Sequence, residues 1–358
     1  MLRDDPQTKS QTTPNGQRDV AGQLRALGWS DYFADQASSA TLSQTPPVRI
    51  TQVHRNTLHI QGVDLDTIIP GLHGVTVGDW LLFDANAPRN SQLLSRKSLI
   101  KRRAPGHDRK EQLIAANLDT AFIVTSCNND FSLARLERYV AMAHEAGVTP
   151  VIVLSKIDMT REASAFAEQA QSISPQIAVV CLDARSPEAI GLLSPWCEAG
   201  QTVAFLGSSG VGKSTLTNSL AGNEAIATQD VRASDDKGRH TTTGRQLHIL
   251  PSGCAVLDTP GMREIQLTDV SIGLEETFAD LHALQQNCRF NDCAHNTEPG
   301  CAVQAAIASG AVDVPRLQRW LKLVAEDTEN TKFLADRKRR DRAKTKPEKS
   351  VTKHSSKK

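Results

Sequence analysis

The chain has 358 residues, 39% hydrophobic and 23% charged, with a formal net charge of +1. That length predicts two or three domains, and no run approaches the roughly 18 apolar residues of a membrane helix, so no membrane role is expected. The N-terminus is polar and lacks the apolar core of a secretory signal. Seven cysteines, an odd number, argue against a disulfide framework and for a reducing, cytoplasmic setting.

In chain order, residues 1–44 read as a disordered N-terminus with one short helix. Leu24, Leu27, Trp29, Tyr32 and Phe33 are the apolar points of that helix, within residues 20–38, and residues 39–47 form a Ser/Thr/Pro linker. The period then shortens. Val48, Ile50 and Val53, then Leu58 and Ile60, flank a turn at Arg55-Asn56 and predict a β-hairpin. Gly74–Phe83 predicts a second strand pair, and residues 93–100 a further strand. Five short strands in so few residues suggest a small barrel over 45–104, either an OB-fold or another small β-domain.

Strand and helix patterns alternate from residue 119. Strands are expected at Thr120–Thr125, Val148–Leu154, Ile177–Leu182, Val203–Leu206, Leu247–Leu250 and Ala255–Leu257. Helices are expected at Leu133–Ala146, Ala163–Ile173 and Ser214–Leu220. This alternation implies a mostly parallel sheet with helices on both faces, over residues 115–275. Two helical segments around a Cys/His cluster follow, over 276–335. Residues 336–358 carry eleven Lys and Arg against three Asp and Glu, so a tail of +8 hangs on a body of −7. Such a tail is expected to be disordered; it suits nucleic acid, or is simply solvated.

Gly207-Ser208-Ser209-Gly210-Val211-Gly212-Lys213-Ser214, followed by Thr215, fits the phosphate-binding P-loop at every fixed position. Glycines let the backbone wrap the phosphates, Lys213 supplies a cation, and the Ser214 hydroxyl is a Mg²⁺ ligand. Asp258-Thr259-Pro260-Gly261 begins 44 residues after Ser214, at a strand end. There Asp258 can hold Mg²⁺ through water and the Gly261 N–H can contact the γ-phosphate. Between the two, Lys237-Gly238-Arg239-His240-Thr241-Thr242-Thr243 offers a switch threonine for Mg²⁺. Thr242 is the central choice, with Thr241 and Thr243 open.

Ser155-Lys156-Ile157-Asp158 follows a strand and approximates the Asn-Lys-x-Asp guanine-reading motif, with Ser155 in place of Asn. Asp158 would accept from guanine N1 and N2, and the Lys156 stem would cover the base. Alone, it could be an ordinary strand-end turn. It lies 52 residues before Gly207, so the reading requires a circularly permuted sheet. Met262 stands where many GTPases carry the water-orienting Gln, which implies slow unassisted turnover. Cys288, Cys293, His295 and Cys301 gather three thiolates and an imidazole within 14 residues, the ligand set of a closed structural zinc site. Cys127, Cys181, Cys197 and Cys254 read as core thiols.

This order of motifs, together with Ala115-Ala116-Asn117-Leu118-Asp119 at the start of the α/β region, resembles the circularly permuted GTPases of the ribosome small subunit-dependent GTPase A (RsgA/YjeQ) family over about residues 45–330. The resemblance implies an OB-fold, a permuted GTPase domain and a zinc domain. It implies one Zn²⁺ per chain, Mg²⁺ with GTP, and a monomer that binds the 30S subunit and its 16S rRNA late in assembly. The ribosome would stimulate hydrolysis of GTP to GDP, with His240 positioning the attacking water. Asp183-Ala184 stands where the family's second base loop usually reads Ser-Ala. The rival readings are an ATPase and a non-catalytic RNA-binding scaffold.

Overall fold

The structure, a computed structural model, describes residues 19–103, 111–221, 245–258 and 269–344. Three short helices come first, α1 (Val20–Ala26), α2 (Asp31–Ala34) and α3 (Ser39–Gln44). The side chains of Asp19 and Ser38 cap α1 and α3 by accepting from the N–H groups of Gly22 and Thr41. The expected linker over 39–47 is therefore mostly helical, because Ser38 supplies a helix start. The segment is also not an appendage. Leu27 and Phe33 are buried against Trp80, Leu82 and Leu94.

Strands β1 (Pro47–Val53), β2 (Thr57–Gly62) and β3 (Leu65–Pro70) form an antiparallel meander. The first hairpin lies where the sequence puts it, while β3 has too weak an alternation to be read. β4 (Trp80–Leu82) pairs with β1 and with β5 (Gln92–Leu93). Val48, Ile50, Leu58, Ile60, Ile69, Leu81 and Phe83 fill the space between them. The expected strand pair at Gly74–Phe83 reduces to β4 alone. Gly78 has φ +90° and presses on Ala116, where a Cβ would sit 2.1 Å from the carbonyl oxygen. The buried Asp79 carboxylate accepts from the Thr76 N–H at 2.7 Å and from Arg96 Nε and Nη2. These contacts wind residues 76–79 into a turn. β6 (Leu99–Arg103) and β7 (Glu111–Ala116) form a separate antiparallel pair.

Next come β8 (Thr120–Ser126), α4 (Leu133–Glu145), β9 (Thr149–Ser155), α5 (Ala163–Gln171), β10 (Ala178–Cys181), α6 (Glu188–Leu193), β11 (Thr202–Leu206), α7 (Lys213–Ala221), β12 (Gln246–Ile249) and β13 (Ala255–Asp258). Their sheet order is β10-β9-β8-β11-β13-β12, parallel throughout except for β12. β11 is central. Three strands that precede it in the chain lie on one side, and two that follow lie on the other. Strand residues point alternately to two apolar layers. Ala121, Ile123, Ile152 and Leu154 meet α4, while Phe122, Val124, Val151 and Val153 meet Val211, Leu216 and Ala189.

Gln246 on β12 pairs with Gln52 on β1, so the meander and the parallel sheet are one continuous sheet. Arg49, 1% exposed, reinforces the join by donating to the carbonyls of Leu27, Gly78 and Asn117. Burial lowers its pKa to about 10, against the pull of Asp119 and Asp79.

The chain ends in α8 (Ser271–Thr277), α9 (Ala279–Gln285), α10 (Ala302–Ala308) and α11 (Val314–Lys344). α8 and α11 pack on α4. Arg319 grips the fully buried Glu137 carboxylate at 2.8 and 3.0 Å. The helix α11 runs on through Lys344, so the first part of the expected disordered tail continues a helix. Among the described residues no helix is long and apolar enough to cross a membrane.

Candidate functional site

The C-terminal ends of parallel strands are where an open α/β sheet binds ligands, and the predicted residues converge there. β11 runs into the P-loop, β9 into Ser155–Asp158, β10 into Asp183-Ala184, and β13 ends on Asp258. The loops after β9 and β10, both on one side of β11, thus meet the P-loop, while β13 ends on its other side.

Glycine is required at two turns of that loop. Gly207 has φ +136°, and a Cβ there would lie 2.1 Å from the Val124 carbonyl oxygen. Gly212 has φ +100° and faces the Ala184 methyl at 3.3 Å. Gly210 (φ +78°) faces open space. Val211 is buried and anchors the loop in the apolar layer beneath. Lys213 begins α7, and its ammonium donates to the carbonyls of Gly207 (2.9 Å) and Ser208 (2.5 Å). The cation is thus folded over its own loop, beside the N–H groups that would cradle phosphate. Ser214 and Thr215 occupy the exposed first turn of α7.

Ser155 is fully buried, and its hydroxyl donates to the Val211 carbonyl at 2.7 Å, with the Thr125 carbonyl at 3.2 Å. A hydroxyl has one proton, so the shorter contact takes the bond. The side chain therefore ties the base loop to the P-loop. Lys156 is left-handed at φ +59° and opens the 3₁₀ turn Ile157–Met159. That turn packs Ile157 against the core and leaves Asp158 at the surface. The Asp158 carboxylate is not free. Arg185 donates to it at 2.7 Å and also to Asp183. Sequence reasoning missed Arg185. Its only signal was an arginine two residues past Asp183, which is uninformative without knowing that β9 and β10 are neighbours.

His240, Thr241, Thr242, Thr243, Gly261 and Met262 lie outside the described residues, and Asp258 is described by its place at the end of β13.

A second centre lies between α9 and α10. One ligand atom from each of Cys288, Cys293, His295 and Cys301 lies within 4.8 Å of all the others. His295 Nδ1 is 3.6 Å from the Cys288 sulfur and 3.5 Å from the Cys301 sulfur, and those sulfurs are 3.9 Å apart. Tetrahedral zinc with Zn–S of about 2.3 Å and Zn–N of about 2.0 Å gives edges of roughly 3.8 Å between sulfurs and 3.5 Å from sulfur to nitrogen. The donors fit. Supporting contacts hold them. Gln304 donates to the His295 carbonyl at 2.6 Å, its N–H points at the Cys301 sulfur, and Trp320 packs on the imidazole. The Glu298 carboxylate gathers the N–H groups of Ala294 and Asn296. Burial holds the His295 pKa below its ordinary value, against the pull of Glu298, which favours the neutral imidazole that a metal needs.

The model of the RsgA GTPase family matches residues 93–268. A protein of Mesorhizobium japonicum called small ribosomal subunit biogenesis GTPase RsgA is 49% identical over 318 residues, 86% of this chain and 91% of that protein. The chain belongs to the RsgA GTPase family. Small ribosomal subunit biogenesis GTPase RsgA 2 of Vibrio vulnificus is 45% identical over 320 residues, 88% of this chain and 91% of that one. Two solved structures share the fold. YjeQ from Thermotoga maritima aligns with a TM-score of 0.58 at 23% identity, over 78% of this chain and 97% of that one. YloQ, described as a circularly permuted GTPase, aligns with a TM-score of 0.56 at 21% identity, over 82% of this chain and 99% of that one. The permuted GTPase fold expected from the motif order is therefore the fold of this chain.

Proposed function

We propose that this chain is a GTP hydrolase that acts in biogenesis of the small ribosomal subunit, binding the 30S particle through its 16S rRNA and hydrolysing GTP to GDP faster when bound. One observation supports the reading most strongly. A P-loop and a guanine-type loop, joined by the Ser155–Val211 hydrogen bond, meet at the C-terminal ends of the strands of a sheet that is itself permuted. Relatives at 44–49% identity carry the name small ribosomal subunit biogenesis GTPase RsgA or RsgA 2, which supplies the ribosomal half of the proposal.

In this reading Gly207–Thr215 holds the phosphates, Lys213 swings from its own carbonyls to the β- and γ-phosphates, and Asp158 reads guanine beneath the Lys156 stem. Ser214 and Thr242 would hold Mg²⁺, with Asp258 acting through water. The ion would neutralise charge developing between the β- and γ-phosphates. Gly261 would sense the γ-phosphate, and His240 would orient water once a partner orders the switch. Residues 45–104 serve as an OB-fold, 115–275 as the GTPase domain and 276–335 as a zinc-binding domain. The basic segment from 336 onward contacts rRNA, and the protein works as a cytoplasmic monomer.

Phosphate release by wild type, Lys213→Ala and His240→Ala, each with and without purified 30S subunits, tests this. Slow turnover raised at least tenfold by 30S, lost in both variants but with GDP binding kept in His240→Ala, is expected. Equal turnover with and without 30S would sink the proposal.

A further inference from the structure

Next to the base-reading loop, three charged side chains form a linked set. The Asp183 carboxylate accepts from the Arg185 N–H at 3.0 Å and from Arg185 Nε and Nη2, both at 3.2 Å. Nη2 reaches on to Asp158 Oδ2 at 2.7 Å. Asp183 thus aims the guanidinium across the mouth of the loop. Guanine addresses a carboxylate with N1–H and N2–H side by side in one plane. A guanidinium presents the same planar fork of N–H donors. Arg185 keeps its Nε and Nη2 pair on Asp183 and turns one N–H, from Nη2, to a single Asp158 oxygen, so it occupies one of the two bonds that guanine would make there.

We propose that Arg185 sets base affinity and selectivity by acting as an internal stand-in for guanine, occupying Asp158 until guanine displaces it. The inference rests on Asp158 being the guanine reader. Displacement carries a cost that falls only on bases that use Asp158. Adenine has no paired donors for a carboxylate, so it leaves the Asp158–Arg185 pair intact and escapes that cost. Arg185 therefore narrows the preference for guanine while it keeps the carboxylate partnered in the empty site. The Arg185 side chain is 68% exposed and Asp158 34%. An ion pair this accessible to water is worth little, enough to change affinity by about two- to fivefold, and salt should weaken it.

The test is binding of fluorescent GDP, ADP and xanthosine diphosphate to the full chain, in wild type, Arg185→Ala, Arg185→Lys, Asp158→Asn and the Asp158→Asn/Arg185→Ala double variant. Arg185→Ala should tighten GDP by about two- to fivefold and leave ADP unchanged. Arg185→Lys, which keeps the charge but loses the paired contacts by which Asp183 aims the side chain, should fall between. In the Asp158→Asn background Arg185→Ala should change nothing, since the partner is gone. Raising salt from about 0.05 M to about 1 M should bring wild type and Arg185→Ala together. GDP binding to Arg185→Ala that equals or falls below wild type would overturn the role of Arg185. Asp158→Asn that still prefers GDP over xanthosine diphosphate would instead overturn the reading of Asp158 beneath it.

Discussion

Replacing Gly273 with alanine should separate the C-terminal helices from the GTPase sheet. Gly273 lies on α8 where that helix crosses α4. A Cβ there would stand 1.9 Å from the Ala141 carbonyl oxygen, 2.8 Å from its carbon and 2.9 Å from the Glu145 nitrogen. All three are backbone atoms of α4 or its end, so no side-chain rotation relieves the clash. Ordinary contact is about 3.5 Å, so α8 must withdraw by about 1.5 Å. That withdrawal opens the packing around the buried Val270, Leu274 and Phe278 and stretches the bond from the Gly273 N–H to the Glu145 carboxylate, now 3.0 Å. Overpacking typically costs about 1–3 kcal/mol. A backbone clash belongs at the upper end, and about 3 kcal/mol is roughly a hundredfold in the folding equilibrium. Gly191 is a control within the same chain. It is helical, and an added Cβ meets nothing within 4 Å, so Gly191→Ala should gain about 0.4–1 kcal/mol. Urea unfolding followed by circular dichroism reads both. A Gly273→Ala midpoint at or above wild type would refute the reasoning.

The same interface should respond to pH. His144 Nδ1 lies 2.7 Å from Glu276 on α8, yet burial holds its pKa below 6.5 against the pull of that carboxylate. The unfolded chain therefore takes up the proton first as pH falls, so the contribution is intact above pH 6.5 and is lost below it, towards the folded pKa. His144→Asn should flatten the fall in urea midpoint between about pH 7.5 and pH 5.5, and an unchanged slope would contradict this. Ser155→Ala removes the donor to the Val211 carbonyl and should weaken GDP binding by about 1 kcal/mol, roughly fivefold, by isothermal titration. Affinity equal to wild type would mean that the P-loop holds its shape without that bond. The purified chain should carry one zinc by elemental analysis. A strong chelator or Cys293→Ser should remove it and lower the unfolding temperature of the C-terminal helices, whereas a chain that never holds metal would refute the zinc assignment.

What could be read along the chain was local. The P-loop spacing, the Cys/His spacing and most α/β strands are each set by neighbours a few residues apart, where period and backbone freedom act directly. The order of motifs even implied permutation, because Asp158 must reach a P-loop that lies behind it in sequence. Contacts between distant segments were not legible. The β12–β1 pairing that fuses two sheets into one rests on single residues, Gln246 and Gln52, with no pattern of their own. The N-terminal helices looked like a loose arm because Leu27 and Phe33 need Trp80 and Leu94 to complete their packing. Gly273 looked like any glycine until α4 was laid against it. Asp158, read as an open acceptor, proved to be partnered, since Arg185 reaches it only when β9 and β10 lie side by side. Spacing encodes which chemistry a segment carries, and packing decides what that chemistry must displace before it acts.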